Sequence, residues 1–330
     1  MTRAPVWILV AFMAGISHAW PAPLPIEPET PGVVHPREPI KPIPLEITVD
    51  VRKAALGKAL FYERRLSHND TIACVTCHDI SKGGADGLTH SIGINAAEGA
   101  INAPTVFNSG LNFRQFWDGR AATLEEQIDG PIQNPQEMAS SWEEVVAKLR
   151  AIPRYTKQFR EIFPGGIEPR SSKEALAEFE RSLTTPNSRF DKFLRGDPSS
   201  LTDAEKEGYR KFKSYGCASC HQGVNAGGNM FATLGAMADY FEDRGHIEQA
   251  DYGRFNVTGR EEDRFVFKVP SLRNVALTAP YFHDGSAPTL EAAVVVMGRY
   301  QLGRQLSPED ARQIAAFLRT LTGEYEGRPL

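Results

Sequence analysis

CVTCH, residues 74–78, returns as CASCH at 217–221, and these two stretches hold all four cysteines of the 330-residue chain. On a helical turn, positions i, i+3 and i+4 share a face. Cys74, Cys77 and His78 therefore converge on one object, and Cys217, Cys220 and His221 on another. Two thiols can form thioethers to a porphyrin edge while the next imidazole coordinates the iron from below, the pattern of covalent c-type haem attachment. Three simpler readings fare worse. A structural zinc site needs four ligands together, but the two pairs lie 143 residues apart. A redox dithiol has no use for the histidine. Stray disulfides would not write one pattern twice.

The surroundings repeat too. VRKAALGKALFYERRLS (51–67), ahead of the first motif, has helical period with Leu56 and Leu60 on one face. LTDAEKEGYRKFKSYG (201–216), ahead of the second, opens with a capping box, Thr202 and Glu205. Between them SSWEEVVAKLRAI (140–152) and SSKEALAEFERSLTT (171–185) read as capped helices, the second closed by Pro186. SPEDARQIAAFLRTLTG (307–323) has Ser307 as N-cap, Pro308 at the first helical position and Gly323 at its end. Its apolar stripe is Ile314, Phe317, Leu318 and Leu321. These elements predict a mainly α fold: two tandem cytochrome c-like haem domains, 47–190 and 191–330. Long irregular loops, 79–116 and 222–285, accompany them, and loops of that length usually serve function.

Ahead of the domains, residues 1–19 read as a secretory signal. Arg3 gives a positive end, PVWILVAFMAGI an apolar run too short to span a bilayer, and Ser17-His18-Ala19 a small-x-small cleavage site. Export to the periplasm, cleavage after Ala19 and a soluble mature protein are expected, since no second run of spanning length follows. Residues 20–46 carry nine prolines and no apolar period, and this leader is expected to stay outside the core. A net charge of −4 speaks against nucleic acid as a partner.

The remaining iron ligands separate an electron carrier from an enzyme. A carrier needs both irons fully ligated; an enzyme needs a vacant face with an acid/base group beside it. For the second haem Met297, in VVVMGRYQLG, is the choice over Met230 and Met237, because it lies well downstream of His221 and shortly before the last helix. A thioether ligand raises the potential, which makes this the electron-transfer haem. Core packing is the plainer role for such a methionine. For the first haem the choices are His90, His68 or no side chain.

With those motifs laid out, the chain resembles the bacterial di-haem cytochrome c peroxidase superfamily, which includes MauG and MbnH. The resemblance rests on both CxxCH motifs, then NAPTVFN (102–108), FWDGRA (116–121), EQIDGPIQNPQEM (126–138), VPSLRNVALTAPYFHDG (269–285) and VMGRYQLG (296–303). It implies two cytochrome c-like domains whose haems flank their interface. It also implies His78 and His221 as proximal ligands and Met297 as the second haem's sixth ligand. Trp117 matches the tryptophan between the haems, and Gln127 and Glu137 the polar pair above the peroxide-binding haem. A carboxylate there is chemically apt, because O–O heterolysis moves a proton from the inner to the outer oxygen. Asn102, Thr278 and Pro280 match an interdomain Ca²⁺ site of one side-chain oxygen and two carbonyls.

One position departs from the family. Reductively activated members have a histidine after the Ser-x-Gly of the first-haem loop. Here the loop reads Ser91-Ile92-Gly93-Ile94, and isoleucine cannot ligate iron. His90 precedes that position by four residues. The expectation is a first haem that is five-coordinate from the outset. MauG-like members are open in this way, although MauG has tyrosine where Met297 stands; MbnH shares the present combination.

Two enzymatic readings follow. In one, H₂O₂ is reduced to water at the His78 haem, with electrons entering at the Met297 haem from a small cytochrome c or copper protein (a cupredoxin). In the other, oxidising equivalents shared through Trp117 attack an aromatic side chain of a partner protein. The peroxidase reading ranks first. A di-haem electron carrier ranks last, since it would leave Gln127, Glu137 and the open loop as coincidence. Dimers are common in the family, so a homodimer is also expected.

Overall fold

Asp50 Oδ1 accepts the N–H groups of Arg52 and Lys53, and this cap starts α1 (Val51–Phe61). In this computed structural model, residues 38–330 are described. The signal-peptide reading of 1–19 and the leader as far as residue 37 lie outside the described residues. α1 stops at Phe61 instead of running to Ser67, because Glu63 caps a separate 3₁₀ turn, Arg64–Leu66. The single turn α2 (Cys74–Cys77) carries the first pair of thiols.

Next come α3 (Leu124–Gln133), α4 (Trp142–Arg150), α5 (Pro153–Ile162) and α6 (Pro169–Ser182). Ser141 caps α4 as expected. α6 begins ahead of the expected pair of serines: Pro169 takes its first position, and Ser171 Oγ accepts the N–H of Glu168 from the third. α3 and α5 fall where no helix was expected. In the second half lie α7 (Arg189–Leu194), α8 (Asp203–Tyr215), α9 (Tyr240–Arg244), α10 (Phe255–Thr258), α11 (Leu290–Val296) and α12 (Pro308–Arg319). The Thr202–Glu205 box opens α8, and Ser307 with Pro308 opens α12. Strands are few: β1 (Phe231–Thr233) pairs antiparallel with β2 (Val266–Lys268), and β3 (Glu324–Tyr325) with β4 (Arg328–Pro329).

Two apolar cores form. One is built from α1 and α3 to α6, with Leu66, Val106, Phe107 and Met138 added from loops. The other is built from α7, α8, α11 and α12, with Ala226, Val275, Tyr281 and Ala287. Each is organised by one close helix crossing at a glycine. A Cβ on Gly57 of α1 would stand 1.9 Å from Ala175 O of α6, and one on Gly208 of α8 would stand 2.0 Å from Gln313 O of α12. Only a residue without Cβ permits that approach.

The likeness between the halves runs further than the helices before the haem motifs. Phe116 and Phe282, 166 positions apart, both have positive φ (67° and 73°), as do Asn108 and Asn274 (60° and 59°). Gln115 N–H donates to Ala121 O (2.9 Å) and Tyr281 N–H to Ala287 O (2.8 Å). Thr123 then caps α3 and Thr289 caps α11. FWDGRAATLE (116–125) and FHDGSAPTLE (282–291) are one structural unit used twice.

The ends of the described chain cross over. Ile40 and Ile43 are fully buried, and Ile40 pairs with Gly223, two residues past His221. Ile43 N–H donates to Asp191 Oδ1, and Arg273 donates to Lys41 O. The leader was expected to stay outside the core. Its last residues instead belong to the fold: Ile40 joins the second core and Ile43 is buried, while the bridge to Gly223 and the bonds to Asp191 and Arg273 satisfy their backbone. At the other terminus Tyr325 and Leu330 pack on the first core, with the Tyr325 ring edge-on to Phe107 at 5.2 Å.

Candidate functional site

His221 follows the second cysteine pair, and its Nδ1–H donates to Ala226 O (3.3 Å). A carbonyl only accepts, so this bond fixes the tautomer and leaves Nε2 with its lone pair. Burial pushes the imidazole's pKa down to about 4, which keeps it neutral. Cys217, Cys220, His221 and Met297 line one largely apolar cavity, and Met297 is the methionine among its lining residues. Met237 is exposed, and Met230 lies on the strand side near Val269. Two thiols, a neutral imidazole and a methionine lining one apolar cavity fit a c-type haem.

The first motif has the same preparation. His78 Nδ1–H donates to Gly84 O (3.3 Å), and burial lowers its pKa. Its two halves then diverge on the opposite side. By the 166-residue offset, Met297 at the end of α11 corresponds to Pro131 in α3, which offers no ligand atom. His90 Nδ1 bonds Glu98 (3.1 Å) and His68 Nδ1 bonds Glu144 (3.0 Å), both of them exposed glutamate pairings rather than bonds to a backbone carbonyl as at His78.

Ile94 is buried, while Ile92 points to solvent. The loop is pinned onto the segment after α3: Ile94 N–H donates to Glu137 O (2.8 Å), and a Cβ on Gly93 would meet Gln136 O at 2.0 Å. Gln127 is half-buried on α3. Glu137 Oε1 accepts from Asn134 Nδ2 (2.7 Å) rather than from Gln127. Burial raises the Glu137 pKa, against the opposing pull of the Asn134 amide and the Arg120 charge.

Between the sites, the two copies of the repeated unit meet. Trp117 Nε1–H donates to Asn102 O (3.0 Å), and its ring stands edge-on to His283 at 6.3 Å. Trp117 and His283 are counterparts in the repeat, and so are Asn102 and Lys268. Asn102 N–H donates to His283 O, and Lys268 N–H to Trp117 O, both at 2.8 Å. Asn102, Thr278 and Pro280 all line the cavity. The Asn102 amide nitrogen is committed to Leu88 O (2.8 Å), which turns Oδ1 into the available ligand atom.

Three residues of this region went unread in the sequence. His283 is 1% exposed and its Nε2–H donates to Asp251 (2.7 Å). Burial opposes the Asp251 charge, but bonds from His283 and Arg244 hold its pKa well below the usual range. Lys268 is buried in the cavity wall. Glu180 is buried near Cys74, and burial followed by the charge of Glu125 pushes its pKa up to about 8. The signal that could have exposed His283 and Lys268 is the 166-residue repeat.

Residues 51–199 match the family model described as di-haem cytochrome c peroxidase. The chain is 52% identical over 292 residues to cytochrome c peroxidase Ccp of Escherichia coli (strain K12), covering 88% of this chain and 62% of that relative's length. It is 47% identical over 295 residues to cytochrome c551 peroxidase of Nitrosomonas europaea, covering 89% and 86%. Among solved structures, a MauG-like protein associated with microbial copper homeostasis matches with a TM-score of 0.75 at 31% identity, covering 93% and 96%. Among the described residues, no helix is long and apolar enough to cross a membrane. On likeness that covers 89% of this chain and 86% of the Nitrosomonas europaea relative, the chain belongs to the di-haem cytochrome c peroxidase family, oxidoreductases that carry two c-type haems and take peroxide as acceptor.

Proposed function

We propose that this chain reduces H₂O₂ to water at a haem held by Cys74, Cys77 and His78. Electrons enter at a second haem, held by Cys217, Cys220, His221 and Met297, from a small cytochrome c or copper protein in the periplasm. The observation that carries this reading is Met297, which lines one cavity with Cys217, Cys220 and His221 and so suits a His/Met electron-entry haem. Ile94, a buried alkyl side chain whose own N–H is tied to the Glu137 carbonyl, offers no electron pair to an iron at the first site, and Pro131, the counterpart of Met297, offers none either. Residues 47–190 then form the peroxide domain and 191–330 the electron-entry domain.

A haem held at His78 would supply the metal for peroxide binding and the redox chemistry of its two-electron reduction. The protein's part is proton movement. A Glu137 carboxylate oxygen takes the proton of the inner peroxide oxygen and returns it to the outer one, which leaves as water. With two electrons and two protons from outside, one peroxide yields two waters. Burial suits Glu137 to this task, since it brings the carboxyl closer to the pH at which it both accepts and returns a proton. The Asn134 amide keeps Oε1 oriented, and Gln127 on α3 holds the substrate by its amide. Trp117 relays electrons across the bridge between the sites. Ca²⁺ at Asn102 Oδ1 and the carbonyls of Thr278 and Pro280 would brace that bridge.

The second reading, oxidation of an aromatic side chain on a partner protein, is favoured by Ile94 alone. Met297 and the close likeness to named peroxidases favour the first. The test adds H₂O₂ to the holoprotein with a reduced small cytochrome c and, separately, with a candidate partner. Catalytic turnover of the cytochrome is the expected result. A mass change on the partner without turnover would replace the first reading by the second. Two low-spin haems inert to peroxide would end both.

A further inference from the structure

Lys268 ends β2 and is 7% exposed. Its main-chain N–H is spent on Trp117 O. Lys268 lines the cavity that Cys217, Cys220, His221 and Met297 also line. Among the described residues no acidic group offsets its charge, and burial pushes the ammonium's pKa down to about 8. Arg273, another buried cation on this cavity, is instead bonded to Asp191 at 2.8 Å. A buried ammonium without an anion is costly, and natural sites pair it. An occupant of this cavity that carries a negative charge would supply the missing partner.

A c-type haem carries two carboxylates, its propionates, on the side of the ring away from the thioether bonds. We propose that the Lys268 ammonium is the counter-ion of a propionate of the second haem and holds that haem's reduction potential up. A positive charge close to the macrocycle favours the reduced, less positive iron, so it acts in the same direction as the Met297 thioether. The charge belongs to the second site only, because Lys268's counterpart in the first half of the repeat is the neutral Asn102. Its backbone bond to Trp117 O keeps β2 against the bridge.

The proposal rests on the second haem occupying the cavity of His221 and Met297. Its test is a spectroelectrochemical titration of the low-spin haem in wild-type, K268M, K268Q and K268R holoproteins. K268M and K268Q should shift the reduced-to-oxidised ratio at fixed potential at least tenfold toward oxidised, about 59 mV for a one-electron couple. K268R should retain most of the wild-type potential. An unmoved potential in K268M, with the sulfur-to-iron charge-transfer band intact, would overturn the lysine's role alone. Absence of that band from the wild-type protein would overturn the ligand reading and the proposal with it. Should K268M not load haem, resonance Raman of wild-type and K268R decides. The propionate-bending band of the low-spin haem should shift in D₂O and between the two proteins, and a band that does neither overturns the proposal.

Discussion

Ile94 and Glu137 belong to separate segments, yet one backbone hydrogen bond joins them, and the chemistry proposed for the first haem depends on both. Replacing Ile94 by histidine restores an imidazole at the family's ligand position. The fully oxidised I94H protein should react with peroxide at least about tenfold more slowly, the order of change expected when a protein group competes for an open metal position. Stopped-flow absorbance checks this, and an unchanged rate would remove the open-face account. Glu137→Gln should slow the peroxide step by roughly two to four orders of magnitude. The wild-type pH profile carries a sign as well. Burial raises the Glu137 pKa above its ordinary 4.5, and the base form is the active one. The rate should be full above the raised pKa and fall as pH drops through it, and E137Q should lose that limb.

At the scale of elements, the two haem motifs are held by the same device, a helix pair crossing at a glycine. Gly57→Ala forces α1 and α6 apart, and Gly208→Ala does the same to α8 and α12. Each should cost about 1–3 kcal/mol, typical of overpacking, because the obstacle is backbone carbonyl rather than a movable side chain. Denaturant midpoints of the two single variants measure it. A loss well below that range in both would show that these crossings can relax. Glycines of this kind cannot be recognised from one helix alone, since the partner lies more than a hundred residues away. The same holds for the boundaries that differed. The start of α6 depended on Ser171 reaching back to Glu168, and the end of α1 on Glu63 capping the next turn.

For the whole molecule, the exchange of chain ends matters most. Ile40 joins the second core and Ile43 is buried with its N–H on Asp191 of α7, while Tyr325 and Leu330 pack on the first core. Loss of one core therefore strips contacts from the other. The holoprotein should unfold in one cooperative transition when followed at either haem, and Ile43→Ala should lower the stability of the unit by about 2–5 kcal/mol. Two separate transitions, with only one moved by the substitution, would contradict this coupling.

Covalent attachment of two haems, mainly helical architecture and the absence of a ligating side chain at position 94 were legible without coordinates. Each rests on residue identity or on a spacing of a few positions, which helical geometry converts directly into a shared face. Burial and pairing were not legible in that way. Glu137 reads in isolation as a surface acid, Lys268 as an ordinary strand-end lysine, and residues 38–46 as the tail of a proline-rich leader. What decided them was the surroundings. Segments far apart in the chain remove water from a carboxyl, bury an ammonium, or offer a carbonyl to a passing strand. Those energies depend on distances that only the folded chain sets. The identities of Cys74, Cys77, His78 and Ile94 were determined by the sequence; the company that Glu137, Lys268 and Ile43 keep was decided by tertiary structure.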